Sequence, residues 1–469
     1  MKENRRNFLK LTGLTGLGMA GGGILKTFGG TPIHQKTEEP RAQRFNMSGY
    51  AAPKIDTVRV GFIGLGQRGP SHLNNMTKLG GVEIKALCDV RPEYAEKAKK
   101  GIQGTGHNPE LYSGDSEAWK KLCDRKDIDL IYIATPWDMH TPMAVYAMEQ
   151  GKHVAIEVPA AVTLEECWQL VETSERTRKH CMMLENCCYG FFELLTLNMA
   201  RQGFFGEVLH GEGAYIHNLL GLNFDKNGYW EMWRLKENIR RNGNLYPTHG
   251  LGPVCQIMNI NRGDKMDSLV SSSGKDFLMA ETAKDLAAKD DFFKPYANQT
   301  YRGNMNTTTI HTHNGCTIML QHDVTSPNVY SRIHKIVGTK GSALQYPAPS
   351  KISNGGEDWV SEQEMKTLEE KYQPAIVKKV GELAKKVGGH GGMDFIMDWR
   401  LIDCLRNGLA LDQDVYDAAL WSSISPLSEW SVANHSNSIN VPDFTAGSWI
   451  TNAPVDILLD KGATTKIKL

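Results

Sequence analysis

The chain has 469 residues, 41% hydrophobic and 23% charged, a composition that builds packed cores and excludes a disordered or fibrous protein. Lysine plus arginine and aspartate plus glutamate each total 53, so no global field recruits nucleic acid or an anionic membrane; a small neutral or polar ligand is expected. Nine cysteines, with Cys187-Cys188 adjacent and no CxxC pair, do not resemble a disulfide framework; most are expected as buried thiols, with room for a bridge or two.

Residues 1–30 place Arg5-Arg6-Asn7-Phe8-Leu9-Lys10 ahead of a glycine-rich, mildly apolar run from Leu11 to Leu25, the form of a twin-arginine export signal. Gly13, Gly16, Gly18 and Gly21 to Gly23 argue against a helix standing alone in water. The expectation is export to the periplasm or beyond, with the polar, proline-bearing stretch 31–54 as a linker. No run of about 18 apolar residues follows the signal, so no membrane span is expected.

The stretch Thr57 to Ile63 reads as a strand running into Gly64-Leu65-Gly66-Gln67-Arg68-Gly69, a dinucleotide-binding turn. Gly64 permits the tight turn, Gly66 lets backbone N–H groups approach the pyrophosphate, and Gly69 allows close packing of helix on strand. A second strand, Val82 to Cys88, ends at Asp89, twenty positions after Gly69, where an acid accepts hydrogen bonds from the adenosine ribose hydroxyls. Asp89 would repel a 2′-phosphate and favours NAD over NADP, while Arg91 would welcome one. Further strands are expected at Asp129 to Pro136, His153 to Glu157 and Cys181 to Glu185, alternating with helices at Met143 to Gln150 and Thr163 to Lys179. The pattern is α/β: residues 55–190 form a doubly wound parallel sheet whose ligand lies beyond the carboxyl ends of the strands. That rule selects Thr135 to His140, Glu157-Val158-Pro159 and Asn186.

Beyond residue 190 the β-rich stretches Glu207 to Asn218, Asn306 to Asp323 and Tyr330 to Val337 predict an α+β domain, 191–469, with an open, mostly antiparallel sheet. Such a sheet can pair between subunits of a homo-oligomer. A charged helix is expected at Glu362 to Lys386, then Gly388-Gly389-His390-Gly391-Gly392, then an amphipathic helix from Met393 to Asn407, the last helices packing back on the first domain. His311, His313 and His322 alternate along a strand, read as a solvated face rather than a metal cluster, and no ligand spacing supports a metal. Three features stay open. Tyr229 to Trp233 is core beside a surface ion pair of Arg234, or a binding face; His249 is a turn residue or a proton-exchanging group; His390 is incidental to a linker, or sits on a mobile lid presenting an acid or base.

The strand ending in Ala134-Thr135-Pro136 with His140 nearby, and Glu157-Val158-Pro159 after the fifth strand, make the chain from Val58 onward similar to the Gfo/Idh/MocA oxidoreductase family. Most of its members are sugar or inositol dehydrogenases with a Glu-Lys-Pro motif, whose lysine assists proton removal; here Val158 replaces it. Glu157-Val158-Pro159-Ala160, Tyr246-Pro247-Thr248-His249-Gly250 and the glycine-flanked His390 more narrowly resemble glycoside hydrolase family 109. That resemblance implies tightly held NAD and removal of terminal, typically α-linked, N-acetylgalactosamine from a small molecule or glycan. Its NAD contacts fall on Gln67, Arg68, Asp89, Trp137, Asp138, Met139, His140, Glu157, Val158, Asn186 and Tyr246. Its sugar contacts fall on Tyr215, Arg234, Tyr246, Pro247, Thr248, His249 and Tyr330. The implied chemistry oxidises sugar C3, removes the C2 proton, expels the C1 oxygen, adds water and reverses the first steps, an exception to the two-carboxylate rule of glycosidases. Tyr246 or His249 would handle protons at the C3 hydroxyl or C2, and His390 would protonate the leaving oxygen and activate water. Two alternatives remain at this point: an NAD(P)-dependent sugar or inositol dehydrogenase, and a non-catalytic secreted sugar-binding protein that retains NAD.

Overall fold

The computed structural model describes residues 41–456 and 458–468; the expected export signal and the linker up to residue 40 lie outside them. Strands β1 (Val58–Ile63), β2 (Val82–Cys88), β3 (Glu110–Tyr112), β4 (Leu130–Ile133), β5 (His153–Ile156) and β6 (Cys181–Met183) form one parallel sheet in the order β3-β2-β1-β4-β5-β6. Between them run α1 (Gly69–Thr77), α2 (Pro92–Gly101), α3 (Ala118–Cys123), α4 (His140–Glu149) and α5 (Leu164–Thr177). The inner strands β4 and β5 are buried along their whole length, whereas β2 exposes Glu83. Thr163 and Glu166 close a capping box that starts α5. Strand order reverses between β1 and β4, which opens a crevice at their carboxyl ends.

The second sheet contains β7 (Val208–Ile216), β8 (Met266–Ser273), β9 (Asn306–Thr312), β10 (Thr317–Asp323), β11 (Lys335–Gly338), β12 (Ser342–Leu344), β13 (Lys351–Ser353) and β14 (Ile439–Asn440). Its order is β13-β12-β11-β7-β10-β9-β8-β14, and β7 with β10 is its parallel pair. Two expected strands divide or shorten. Residues 306–323 are a hairpin that turns at Gly315, φ +85°. Of 330–337, the last residues enter β11, because Ile333 and His334 take φ +61° and +45° and break the extended run. His311 and His313 are exposed, as expected for a solvated face, whereas His322 is buried and departs from it.

Besides the helical segments Leu220–Asn223 and Met279–Ala287, the helices of this half are α6 (Phe191–Arg201), α7 (Trp233–Arg240), α8 (Thr248–Ile257), α9 (Glu362–Tyr372), α10 (Ala375–Val387), α11 (Met393–Asn407) and α12 (Val415–Ala433). The single helix expected at 362–386 is two, divided before Pro374, whose missing N–H and fixed ring suit the entry to α10. Nor is α11 amphipathic: every residue from Met393 to Leu405 is buried, because the helix is inserted between α1, β1 and α10.

The two halves are tied at several places. In the described part of the linker, Arg41 Nη1 pairs with Glu172 at 2.7 Å and Gln43 donates to the Tyr416 hydroxyl at 2.8 Å. At the other end, the Lys468 N–H donates to the Lys78 carbonyl at 2.7 Å.

Strand β7 and helix α8 approach closely through two glycines. A Cβ on Gly213 would lie 2.3 Å from the Gly250 carbonyl oxygen, and one on Gly250 would lie 2.3 Å from the Ala214 nitrogen. This contact sets Tyr215 on the strand beside His249 on the helix. Gly250→Ala is expected to destabilise the protein by about 1–3 kcal/mol through overpacking. Gly221→Ala, where a Cβ meets nothing within 4 Å, is the control; equal urea midpoints for the two variants would refute the close-packing account.

Candidate active site

The glycine-rich turn is built as its spacing predicts. Gly64 has φ +90°, and a Cβ there would lie 2.5 Å from the Ala134 oxygen; a Cβ on Gly69 would lie 2.0 Å from the Gly64 oxygen. At Gly66 a Cβ would meet only Arg91 Nη2, at 3.6 Å, so the chain's own packing does not demand glycine there. The space left there fits a pyrophosphate approaching the backbone at the start of α1. Asp89 is oriented by the Leu65 N–H on Oδ2 at 2.8 Å and the Arg91 N–H on Oδ1 at 3.0 Å. Arg91 packs over the Tyr94 ring. The turn and acid therefore fit a dinucleotide.

Arg68 and His72, one helical turn apart, enter a buried charge network. Arg68 Nε donates to Glu157 Oε1 at 2.9 Å and Nη1 to Asp394 Oδ2 at 3.1 Å. His72 lies between Asp398, 2.8 Å from Nδ1, and Glu157, 3.0 Å from Nε2. Burial alone would drive the imidazole neutral, and Arg68 Nη2, 3.0 Å from Nε2, opposes its charge, but Asp398 and Glu157 outweigh both and raise its pKa to about 10. Glu157 and Asp394 are buried yet held well below the usual carboxylate range, Glu157 chiefly by Arg68 and Asp394 chiefly by its bond to His390. Tyr132 and Asn75 donate to Asp398, each at 2.8 Å, and Asn186 donates to Asp394 at 2.5 Å.

His390 Nδ1 lies 2.8 Å from Asp394 Oδ2 and 3.3 Å from Arg68 Nη1. The flanking glycines all take positive φ, from 73° to 107°, and His390 itself takes φ +44°. The loop thus has a defined backbone shape and is tied to α11 through Asp394. Its imidazole remains half exposed.

A ring of aromatic side chains stands beside this network. Tyr246 stacks on Trp137 with centroids 5.8 Å apart, meets Tyr215 at 4.6 Å and takes His249 edge-on at 4.8 Å. Arg234 lies over Trp137 and Tyr246, at 5.2 and 4.9 Å from their centroids, and donates from Nη1 to the Tyr229 hydroxyl at 2.9 Å. It is buried, has no carboxylate partner among the described residues, and its Nη2 has no hydrogen-bond partner. The surface ion pair is thereby excluded.

Glu185, fully buried, faces His249 Nδ1 with both oxygens, at 2.8 and 3.0 Å, and also accepts the Cys187 N–H at 3.0 Å. Burial would raise the Glu185 pKa, but His249 outweighs it and the pKa falls. The carboxylate fixes Nδ1 as the protonated nitrogen and leaves the Nε2 lone pair free, the arrangement of an oriented general base. Glu185, Cys187 and His249 are the one set of possible metal-ligand atoms that converge among the described residues. Their bonding describes an acid–histidine pair, since both Glu185 oxygens face His249 Nδ1 and the Cys187 thiol donates to Asn186 Oδ1 at 3.5 Å. Burial raises the Tyr246 phenol, which therefore stays protonated near neutral pH and acts as a donor.

Most residues selected from the sequence converge here. Trp137, Val158 and Asn186 sit just past β4, β5 and β6; Pro247 and Thr248 begin α8; and Tyr330 packs 5.1 Å from His217. Others also bond within the protein. Gln67 Nε2 donates to the Gly228 carbonyl at 3.1 Å and Arg68 serves Glu157, so both brace the turn against other segments. His140 spends its ring nitrogens on the Pro159 and Thr135 carbonyls, at 2.7 and 2.8 Å, clamping the turn that carries Asp138 and Met139. Glu185, His72, Asp394, Asp398 and His217 were not singled out. Glu185 follows β6, where the strand-end rule points, and the acids at 394 and 398 have the spacing that puts two side chains on one helix face. His217, 2.9 Å from the Tyr215 hydroxyl, carries no such signal.

A family model described as glycosyl hydrolase 109, C-terminal domain, matches residues 189–451, and one described as oxidoreductase family, NAD-binding Rossmann fold, matches 58–185. An alpha-N-acetylgalactosaminidase of Bacteroides fragilis is 52% identical over 409 residues, covering 86% of this chain and 95% of its own. A glycosyl hydrolase family 109 protein of Bacteroides thetaiotaomicron is 48% identical over 440 residues, with 89% and 91% covered. Among solved structures, levoglucosan dehydrogenase in complex with NADH and L-sorbose aligns with TM-score 0.63 at 18% identity, covering 83% of this chain and 100% of that one. That likeness concerns the fold alone.

The His72 site sets a pH dependence. A folded pKa of about 10, above the roughly 6.5 of a free histidine, gives stability that is complete below the lower value and lost as pH rises through the upper one. Thermal melts from pH 7 to 10 should therefore show Tm falling in the wild type, and falling less steeply in His72→Gln; parallel slopes would refute the charged-histidine assignment.

Proposed function

Since the chain belongs to the glycosyl hydrolase 109 family and its first domain binds NAD, we propose that this glycoside hydrolase releases terminal α-linked N-acetylgalactosamine without net oxidation. The observation that carries the reading is the Glu185–His249 pair standing beside Tyr246 and Arg234, next to the carboxyl ends of the Rossmann strands. NAD, when bound, supplies reversible two-electron oxidation at C3 of the sugar, which acidifies the proton on C2.

Gly64 to Gly69, Asp89, Trp137 and Val158 would hold that cofactor. His249 Nε2 takes the C2 proton and later returns it, with Glu185 steadying the imidazolium. Tyr246, a neutral phenol at rest, donates a hydrogen bond to oxygen at C3 and relays the C3 hydroxyl proton outward as hydride leaves and back as hydride returns. The unpaired Nη2 of Arg234 binds a sugar oxygen, and the rings of Trp137, Tyr215 and Tyr246 exclude water from that face. His390, oriented through Nδ1 by Asp394 and open on its other side, protonates the departing oxygen and then draws a proton from the attacking water. Val158, buried where dehydrogenases of this fold carry lysine, has no proton to exchange, which supports the hydrolase over a dehydrogenase. The Arg5-Arg6 signal supports export of the folded, NAD-loaded protein to the periplasm or beyond.

His249→Asn should abolish wash-in of solvent deuterium at C2; retention of exchange would assign the base elsewhere. His390→Ala should lower kcat about 10²-fold or more on an alkyl glycoside with a poor leaving group, but by less than about tenfold on an aryl glycoside. Absorbance at 340 nm should show no NADH accumulating with either substrate. An unchanged alkyl rate would remove His390 from its assigned role, and net NADH formation would return the protein to the dehydrogenases.

A further inference from the structure

We infer that segment 228–234 couples the cofactor and sugar sites, so that a sugar bound at Arg234 slows the escape of NAD from the glycine-rich turn; the inference rests on the glycosidase reading above. The two ends of the segment belong to different sites. At one end the Gly228 carbonyl accepts Gln67 Nε2, from the glycine-rich turn, at 3.1 Å. At the other, buried Arg234 carries the unpaired Nη2 that binds a sugar oxygen.

The residues between the ends carry position from one to the other. Tyr229 accepts Arg234 Nη1 on its hydroxyl at 2.9 Å and meets Trp233 edge-on, centroids 5.4 Å apart. Trp233 in turn packs on Trp137, just past β4, at 4.9 Å. Nor is the backbone a loose hinge. Glu231 and Met232 both take φ +50°, a left-handed region that strains residues other than glycine and persists only where the surroundings over-determine it. Met232 provides that constraint: it is buried in a small core with Phe224, Leu235, Phe293 and Tyr301, distinct from the core of the rest of the molecule.

A constrained piece with one ligand site at each end transmits occupancy. Without sugar, the Arg234 guanidinium keeps an N–H buried and unpaired, which weakens its hold on the position it occupies. A sugar oxygen on Nη2 removes that penalty, fixes the guanidinium against Tyr229 and keeps Gly228 seated on Gln67. The turn that receives the pyrophosphate then opens less often. Linkage makes the effect mutual: NAD raises the affinity for sugar by the factor by which sugar raises the affinity for NAD. The coupling acts where loss would do most harm, because cofactor that escaped while sugar C3 was oxidised could not return the two electrons to it.

The test follows NAD leaving the purified, NAD-loaded protein, by rapid filtration and assay of the filtrate, with and without saturating free N-acetylgalactosamine. Sugar should lengthen the wild-type half-time about tenfold, within the usual range of coupling between sites. Tyr229→Phe, which keeps the ring and loses the acceptor for Arg234, should leave the sugar-free half-time within about twofold and abolish most of the lengthening. Gln67→Met, which loses the donor to Gly228, should shorten the sugar-free half-time and abolish the lengthening as well. Both substitutions nearly conserve volume, which guards against a folding defect. Full lengthening in either variant would mean that sugar holds NAD by covering it, and would overturn the coupling. So would an unchanged wild-type half-time in protein that hydrolyses an aryl glycoside and shows bound sugar by saturation-transfer NMR. Absence of both aryl release and sugar binding would overturn the glycosidase reading and the coupling with it.

Discussion

The cations Arg68 and His72 find their counter-charges on two other parts of the chain, Glu157 after β5 and the pair Asp394 and Asp398 on α11. Both helices present their charges four residues apart, so the two pairs meet face to face. Burying an ion costs several kcal/mol, and the cost is offset only when every partner is present; removing one member of such a group typically costs about 3–5 kcal/mol. The three carboxylates exceed the two cations, and the Tyr132, Asn75 and Asn186 donors spread the remaining charge. The seating of α11 against the Rossmann domain and the position of His390, one turn before its partner Asp394, are therefore settled by the same set of bonds.

Arg234 obeys the opposite logic. Faces of Trp137, Tyr229 and Tyr246 surround it, and contacts of this kind are worth about 2 kcal/mol when desolvated, less than the several kcal/mol lost on removing an ion from water. The folded chain thus holds a donor at a cost its own contacts do not recover. A polar ligand recovers it, which is how binding energy is prepared in advance. The charge network secures architecture, and the aromatic ring holds its unpaired guanidinium N–H in readiness; Tyr246 and His249 stand where the two regions adjoin.

Legibility in the sequence followed the range over which each feature is determined. The parallel sheet was readable because β1, β4 and β5 are short apolar runs and the glycine turn has fixed spacing. Edge strand β3, three residues long with Glu110 exposed, has no such pattern. Helix α11 was misread because Asp394, Asp398, Arg400 and Asp403 look like a solvent face until their distant partners are placed. The same difficulty hid His72. The site residues came through in part because Tyr246 to His249 is one contiguous segment, whereas Glu185 pairs with His249 across 64 positions. The glycines around His390 suggest mobility by composition, and their positive φ values give a second reason for glycine there, a turn that other residues adopt only with strain.

All nine cysteines are free, and eight of them are buried. Burial pushes the Cys88 and Cys123 thiols up to about 12, and those of Cys187, Cys188, Cys255 and Cys404 well above their usual value. The thiolate required for oxidation or exchange is scarce at these sites. The chain consequently owns no covalent crosslink that an oxidising environment would have to make or a reducing one would sever. The fold of the described residues is held by packing, hydrogen bonds and ion pairs, with the buried thiols serving as small apolar contacts.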